Sequence, residues 1–300
     1  MDMRGEHRYC HFKHLPAMIS PRSQGRHRPR DEKFYMAIRP AEAIRSLGHE
    51  VRVDLTYMKR AMDVCLFLSA AAVALINEPS PIGQLAGSIF IMAALFHSFK
   101  YLRKPLFFSV VSSGIGFAFE LISLFVSLPF GHYKYIDGTL GFMVLGVLPL
   151  AIPFLWFALG YLALHIGLSI TPTWRWVPIS ACALMSFDVM LEPLASGKLW
   201  VWTAPVGPFG VPPTNFIGWF LVAATFYFLY HLRGTSQDEI SSSAIMVFML
   251  ISGSCAIVSI MRGIWLSALF GLVPITAISI YALSRIKNMP AANSFPLRVH

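Results

Sequence analysis

The sequence predicts an all-α polytopic integral membrane bundle of about eight transmembrane helices, preceded by a basic N-terminal tail. Three observations predict it. Hydrophobic types make up 56% of the 300 residues and charged types only 13%, where soluble domains run at about a quarter charged. Mean hydropathy is +0.60. The apolar residues also fall in continuous runs of the length a spanning helix needs, about 20 residues. A closed barrel would instead alternate apolar and polar positions.

Residues 1–57 form the tail. The chain carries a net charge of +9, and the excess is concentrated here, as in Arg22, Arg26, Arg28 and Arg30. A basic arm beside an apolar bundle faces a membrane surface, not nucleic acid. His7, His11 and His14 sit at helical spacing, but no Cys or carboxylate cluster accompanies them, so they read as a solvated arm. No apolar core follows the basic residues, which excludes a signal peptide. The stretch from Ala41 to Leu55 reads as a short helix, a stop at Gly48, then a strand. A unit of that size buries no core of its own. Met58, directly before Lys59 and Arg60, is a candidate alternative start.

Residues 58–288 form the transmembrane domain, and 289–300 a short C-terminal tail. Candidate spans lie at about 61–77, 82–99, 106–128, 140–167, 176–195, 216–232, 244–261 and 264–284. The fourth is long and contains Pro149 and Pro153, which predict a kink or break, because proline lacks the amide donor and clashes with the preceding turn. Such a kink can open a slot for sideways access from the bilayer. Only Arg262 and Gly263 separate the last two spans. Cys65, Cys182 and Cys255 lie in apolar runs and read as small buried hydrophobes, and Cys10 lies in the tail. Basic residues favour one orientation. With the amino terminus in the cytoplasm, Lys59, Arg60, Lys100, Arg103, Lys104, Arg175, Arg233, Arg285, Lys287 and Arg298 are cytoplasmic, and Lys134, Lys198 and Arg262 are opposite. This predicts an integral protein of the cell (inner) membrane.

Three acids fall deep inside spans: Glu120 in the third, Asp188 and Glu192 in the fifth. Ionisable groups in a bilayer are costly and mark function by default. Asp188 and Glu192 are four apart and share one helix face. Two carboxyls in a low-dielectric site do not both ionise cheaply, so one is expected to retain a proton. A retained proton beside a carboxylate suits general acid–base chemistry. The bland alternative is helix–helix glue. Glu120 and Glu192 lie toward the same ends of their spans as two loops. One loop, 129–138, carries Tyr133 and Tyr135. The other, 196–215, carries Trp200, Trp202, Pro205, Pro208, Pro212, Pro213 and Asn215. Acids and aromatics should therefore meet at one mouth. An interfacial aromatic belt accounts for Trp174 and Trp176 but less well for Trp200 and Trp202.

Several chemistries drop out. Outside the tail the histidines His97, His132, His165, His231 and His300 are widely spread, so a multi-histidine metal site is not expected. There is no aspartate-rich diphosphate motif, no Walker or glycine-rich nucleotide motif and no haem attachment site. No cofactor and no metal are expected. Proton chemistry on an apolar molecule remains, or transport.

The segment from Glu120 to Trp156 carries Leu128-Pro129-Phe130-Gly131-His132-Tyr133-Lys134-Tyr135 and Leu145-Gly146-Val147-Leu148-Pro149-Leu150. It is followed by Phe187-Asp188-Val189-Met190-Leu191-Glu192-Pro193, by Trp200-Val201-Trp202, and by Phe209-Gly210-Val211-Pro212-Pro213-Thr214-Asn215-Phe216-Ile217-Gly218-Trp219. These segments resemble the carotenoid biosynthesis family of bisanhydrobacterioruberin hydratases and carotenoid 1,2-hydratases, over about residues 60–285. Phe187 stands where the family pattern has a tryptophan before the first acid, and Glu192 where it has an aspartate. Other residues also stand where glycines follow the third-span Glu. The resemblance implies acid-catalysed hydration of a terminal isoprenoid double bond to a tertiary alcohol, without a cofactor. It implies Asp188, Glu192 and Glu120 as catalytic residues. In that reading Asp188 donates the proton, Glu192 handles water, and Glu120 is the alternative donor. Tyr133, Tyr135, Trp200, Trp202, Asn215 and Trp219 then contact the substrate end. A related end-group cyclase, a transporter or a pigment-binding protein are the alternatives. The implied partners are the lipid bilayer, an apolar carotenoid and other enzymes of the same biosynthesis.

Overall fold

The computed structural model of the protein describes residues 40–76, 79–203, 206–207, 209–235 and 238–288, with the backbone alone for 40–55. The chain divides into two compact units, residues 1–49 and 50–300, and the second holds the helical bundle. Its helices are α1 (Pro40–Ile76, which begins in the first unit), α2 (Pro81–Tyr101), α3 (Pro105–Val126), α4 (Ala151–Ile170), α5 (Trp176–Ala195), α6 (Pro213–His231), α7 (Ser242–Met261) and α8 (Trp265–Lys287). Two small antiparallel ribbons interrupt them: β1 (Tyr133–Tyr135) pairs with β4 (Trp200–Trp202), and β2 (Met143–Val144) with β3 (Leu148–Pro149). Among the described residues six helices, α2, α3, α4, α5, α7 and α8, are long and apolar enough to cross a membrane. The protein is an all-α integral membrane bundle.

The helix starts follow from sequence. Proline opens α2, α3 and α6, where its missing amide costs nothing and its fixed φ suits the first turn. Ser80 and Ser241 cap α2 and α7 by accepting from the amides of Gly83 and Ala244, each at 3.1 Å. The seventh and eighth helices break where expected, at Gly263 with φ +77.

The centre of the bundle is α4, buried almost throughout from Ile152 to Ser169, with α2, α3, α5, α7 and α8 packed around it. Small residues allow the closest crossings, as membrane helix packing requires. A Cβ on Gly167 would lie 2.3 Å from Ser180 Oγ, and one on Gly271 2.7 Å from the Ser186 carbonyl.

Where α2 ends and α7 begins, a polar network ties α1, α2, α4 and α7 together. Asp63 Oδ1 accepts from Ser243 Oγ at 2.7 Å and lies 2.8 Å from His97 Nε2, while Lys100 Nζ meets Asp63 Oδ2 at 2.6 Å. The other His97 nitrogen bonds Tyr161 Oη at 2.7 Å. His97 is fully buried.

Several expectations are corrected. The chain from Ala41 to Leu55 is neither a short helix nor a strand. The α1 helix runs through Gly48 to Ile76, since one glycine costs a helix only about 1 kcal/mol. The fourth span does not start at 140. Residues 143–149 form the β2–β3 ribbon, and Pro153 sits in the first turn of α4, where proline is tolerated. Neither Pro149 nor Pro153 therefore interrupts a long fourth helix. Trp176 is no belt residue: it is fully buried and donates from Nε1 to His231 Nδ1 at 3.3 Å, whereas Trp174 is exposed. Cys65 and Cys182 are not buried but face outward, and Cys255 is half-buried. In a bilayer the outer surface is as apolar as the interior, so an apolar run does not reveal which face is inside. The tail residues His7, His11, His14 and Cys10, together with Pro205 and Pro208, lie outside the described residues.

Candidate functional site

The site is built by the ribbon of β1 and β4. Its register pairs Tyr133 with Trp202, Lys134 with Val201, and Tyr135 with Trp200. Side chains alternate across a strand, so the two tyrosines and two tryptophans share one face. Lys134 and Val201 point the other way and are exposed. The facing rings meet across the strands, Tyr133–Trp202 at 5.0 Å and Tyr135–Trp200 at 5.9 Å between centroids. Backbone bonds extend the pairing at both ends, from Ile136 N to Leu199 O and from Thr203 N to His132 O. Two loops far apart in the chain thus become one small platform over the ends of α3 and α5.

That platform donates to two carboxylates. Glu120 Oε2 accepts from the hydroxyls of Tyr133 and Tyr135, the latter at 3.0 Å. Glu120 Oε1 accepts from Trp156 Nε1 at 3.0 Å. Glu192 Oε2 accepts from Trp200 Nε1 at 2.9 Å and from Trp202 Nε1 at 3.3 Å. The tyrosines of the ribbon thus serve Glu120, and its tryptophans serve Glu192. Burial and the adjacent Glu120 carboxyl hold the Tyr133 and Tyr135 phenols well above their ordinary range, so both stay neutral donors.

Asp188 lies one helical turn before Glu192 and is fully buried. Its Oδ2 accepts from Asn215 Nδ2 at 2.7 Å, while Oδ1 is buried without a hydrogen-bond partner. Such an atom is costly unless a proton or a ligand satisfies it.

These groups surround a chamber of about 90 Å³ lined by Glu120, Glu192, Tyr133, Tyr135, Trp200, Trp202, Asn215, Trp156, Trp219, Phe130 and several leucines. Of the residues singled out in the sequence, all but Asp188 line it. Asp188 stands behind, linked through Asn215. Trp156 and Phe130 join the site without having been expected in it. Trp156 sits in an apolar helix where nothing distinguishes it from packing, apart from being the single tryptophan of α4. Its ring packs against that of Trp219, tilted by 33° with the centroids 4.2 Å apart. Two glycines make room: a Cβ on Gly116 would lie 2.6 Å from the Trp156 ring, and one on Gly218 2.6 Å from Phe130.

The chamber adjoins a larger, mostly apolar groove of about 550 Å³ between α1, α2, α4 and α5. Leu140, Leu155, Leu191 and Leu199 line both and stand between them. Leu150, Ala151 and Phe154, neighbours of Pro149 and Pro153, form part of the groove wall. Among the described residues, no three His, Cys, Asp or Glu side chains gather as a metal site requires.

The chain matches the family described as carotenoid biosynthesis protein over residues 81–278, a span that contains both carboxylates, the ribbon and the chamber. No curated protein and no solved structure matches it. The chain belongs to the carotenoid biosynthesis protein family and is a membrane protein of that pathway.

Proposed function

For a member of this family with such a chamber, we propose that the protein adds water across the terminal C1=C2 double bond of an acyclic carotenoid end, giving a tertiary alcohol. The observation that carries this reading is the pair Glu120 and Glu192, lining one aromatic chamber that shares a wall of four leucines with an apolar groove. A polyene dissolved in the bilayer lies in the groove and presents its end group to the chamber between these leucines.

The step needs no electron transfer. A carboxylic acid gives its proton to C2, the π pair forms the new C–H bond, and C1 becomes a tertiary cation. Water adds through its oxygen to C1 and loses a proton to a carboxylate. Both oxygens of Glu120 are engaged by donors, the pattern of an ionised acceptor. It stabilises the cation and takes the proton from water. Glu192 receives both tryptophan N–H groups on Oε2, which leaves Oε1 to carry the acidic proton. The sequence alone favours Asp188 as the proton donor. The geometry favours Glu192 for direct contact and Asp188 as the buried partner that shares its proton, with Asn215 fixing it. The rings of Tyr133, Tyr135, Trp200, Trp202 and Trp219 steady the cation through their π faces, each worth about 1–2 kcal/mol when desolvated. In this reading the amino terminus is cytoplasmic, the cell membrane is the site, and the ribbon lies toward the opposite surface, from which water arrives.

The test is expression of the full chain in a host that accumulates an acyclic carotenoid, with pigments analysed by chromatography and mass spectrometry. The expected product is heavier by one water and is absent with Glu192→Gln or Glu120→Gln. A ring-bearing product of unchanged mass would replace the reading with a cyclase. Folded protein in the membrane with unaltered pigment would sink it.

A further inference from the structure

The chamber is electrostatically one-sided. Glu120 and Glu192 line it, and among the described residues no lysine, arginine or histidine does. The donors to Glu120 are all neutral: two phenol hydroxyls and one indole N–H. Hydrogen bonds of this kind support a carboxylate but do not cancel its charge. A buried charge without a counter-charge is expensive in an apolar setting. The same chain balances Asp63 differently, setting Lys100 Nζ 2.6 Å from its carboxylate. At the chamber a cationic ligand can supply the positive partner that the lining residues lack.

The walls suit such a partner. The aromatic rings of Phe130, Tyr133, Tyr135, Trp156, Trp200, Trp202 and Trp219 line the space. Aromatic faces attract cations, and aromatic cages are a common way to hold alkylated ammonium groups. The adjoining groove is mostly apolar, and Lys198 and Arg262 border it without lining the chamber. A small aromatic chamber beside a larger apolar groove suits an amphiphile with a small cationic head and one long apolar tail.

We propose that chamber and groove together form a binding site for single-chain tertiary ammonium amphiphiles, with the dimethylammonium head between Glu120 and Glu192 and the tail running past Leu155 and Leu191 into the groove. The inference rests on the proposed function in one respect. A protonated dimethylalkylamine has the shape and charge of the tertiary cation formed during hydration, and species resembling a transition state bind more tightly than substrates. The charge and ring arrangement supports it independently of which reaction follows.

The test uses the full chain in phosphatidylcholine nanodiscs, with empty nanodiscs subtracted. N,N-dimethylhexadecylamine is titrated against its neutral hydrocarbon isostere, and binding is read from tryptophan emission. The amine is expected to bind about tenfold or more tighter than the hydrocarbon. Glu120→Gln should bring that ratio close to one. Gly87→Trp should weaken the long-chain amine, because Gly87 lines the groove and a Cβ there meets nothing within 4 Å. Equal affinity of the intact protein for amine and hydrocarbon overturns the proposal, and so does amine binding unchanged by Glu120→Gln. If that variant is not recovered folded, the ratio for the intact protein decides alone. Amine selectivity without hydrated pigment would leave this inference standing and remove the proposed reaction. Hydrated pigment without amine selectivity would do the reverse.

Discussion

Among the described residues, the polar clusters around Asp63 and around Glu120 and Glu192 are built on opposite plans. Around Asp63, a lysine, a serine and a buried histidine close in until the carboxylate is balanced. His97 passes the network on to Tyr161. Around Glu120 and Glu192 the donors are all neutral aromatic groups, and space is left between them. The first plan satisfies charge within the protein and fastens helices together. The second holds charge in place and leaves it available. A buried acid in a membrane protein is therefore informative through its partners, more than through its presence alone.

The sharpest way to break this comparison is to neutralise one acid from each cluster. Glu192→Gln is expected to lower product formation by about two to four orders of magnitude, the usual worth of a general acid, with little change in melting temperature. Asp63→Asn is expected to do the opposite. It should lower stability by about 2 kcal/mol, since hydrogen bonds to a charged group are lost, while turnover per folded molecule stays close to that of the parent. Thermal unfolding in detergent alongside pigment analysis separates the two. If Asp63→Asn lost turnover without losing stability, the two clusters would not differ in kind.

A smaller effect sharpens the site itself. Trp156→Phe keeps an aromatic ring against Trp219 but removes the N–H bonded to Glu120 Oε1. Turnover is expected to fall by about tenfold, the value of one hydrogen bond to a charged group. An unchanged rate would show that Glu120 is not positioned through this contact.

Much of this is legible in the chain. The helical bundle follows from apolar run lengths, and the break at Gly263 from two residues. The alternation Tyr133, Tyr135 and Trp200, Trp202 carries a strand period, but three residues are too few to announce a strand without their partner. Pairing of the two loops depends on α3 and α5 bringing distant segments together, which no local pattern records. Asp63 does not stand out, because it follows Lys59 and Arg60 and looks like the wet edge of a span. Its partners come from α2 and α7, far along the chain. Cys182 and Trp176 depart from expectation for one shared reason: lipid-facing and buried positions have the same composition, so burial in a membrane helix is decided by neighbours that the helix's own sequence does not name.

The most direct measurement of the central claim is isotopic. Cells expressing the full chain and accumulating an acyclic carotenoid are grown briefly in water enriched in oxygen-18, and the new pigment is analysed by mass spectrometry. The account predicts a tertiary hydroxyl that carries the heavy oxygen, because that oxygen comes from water added to the cation beside Glu120 and Glu192. A hydroxyl without the label, or a pigment changed without gaining oxygen, would contradict it.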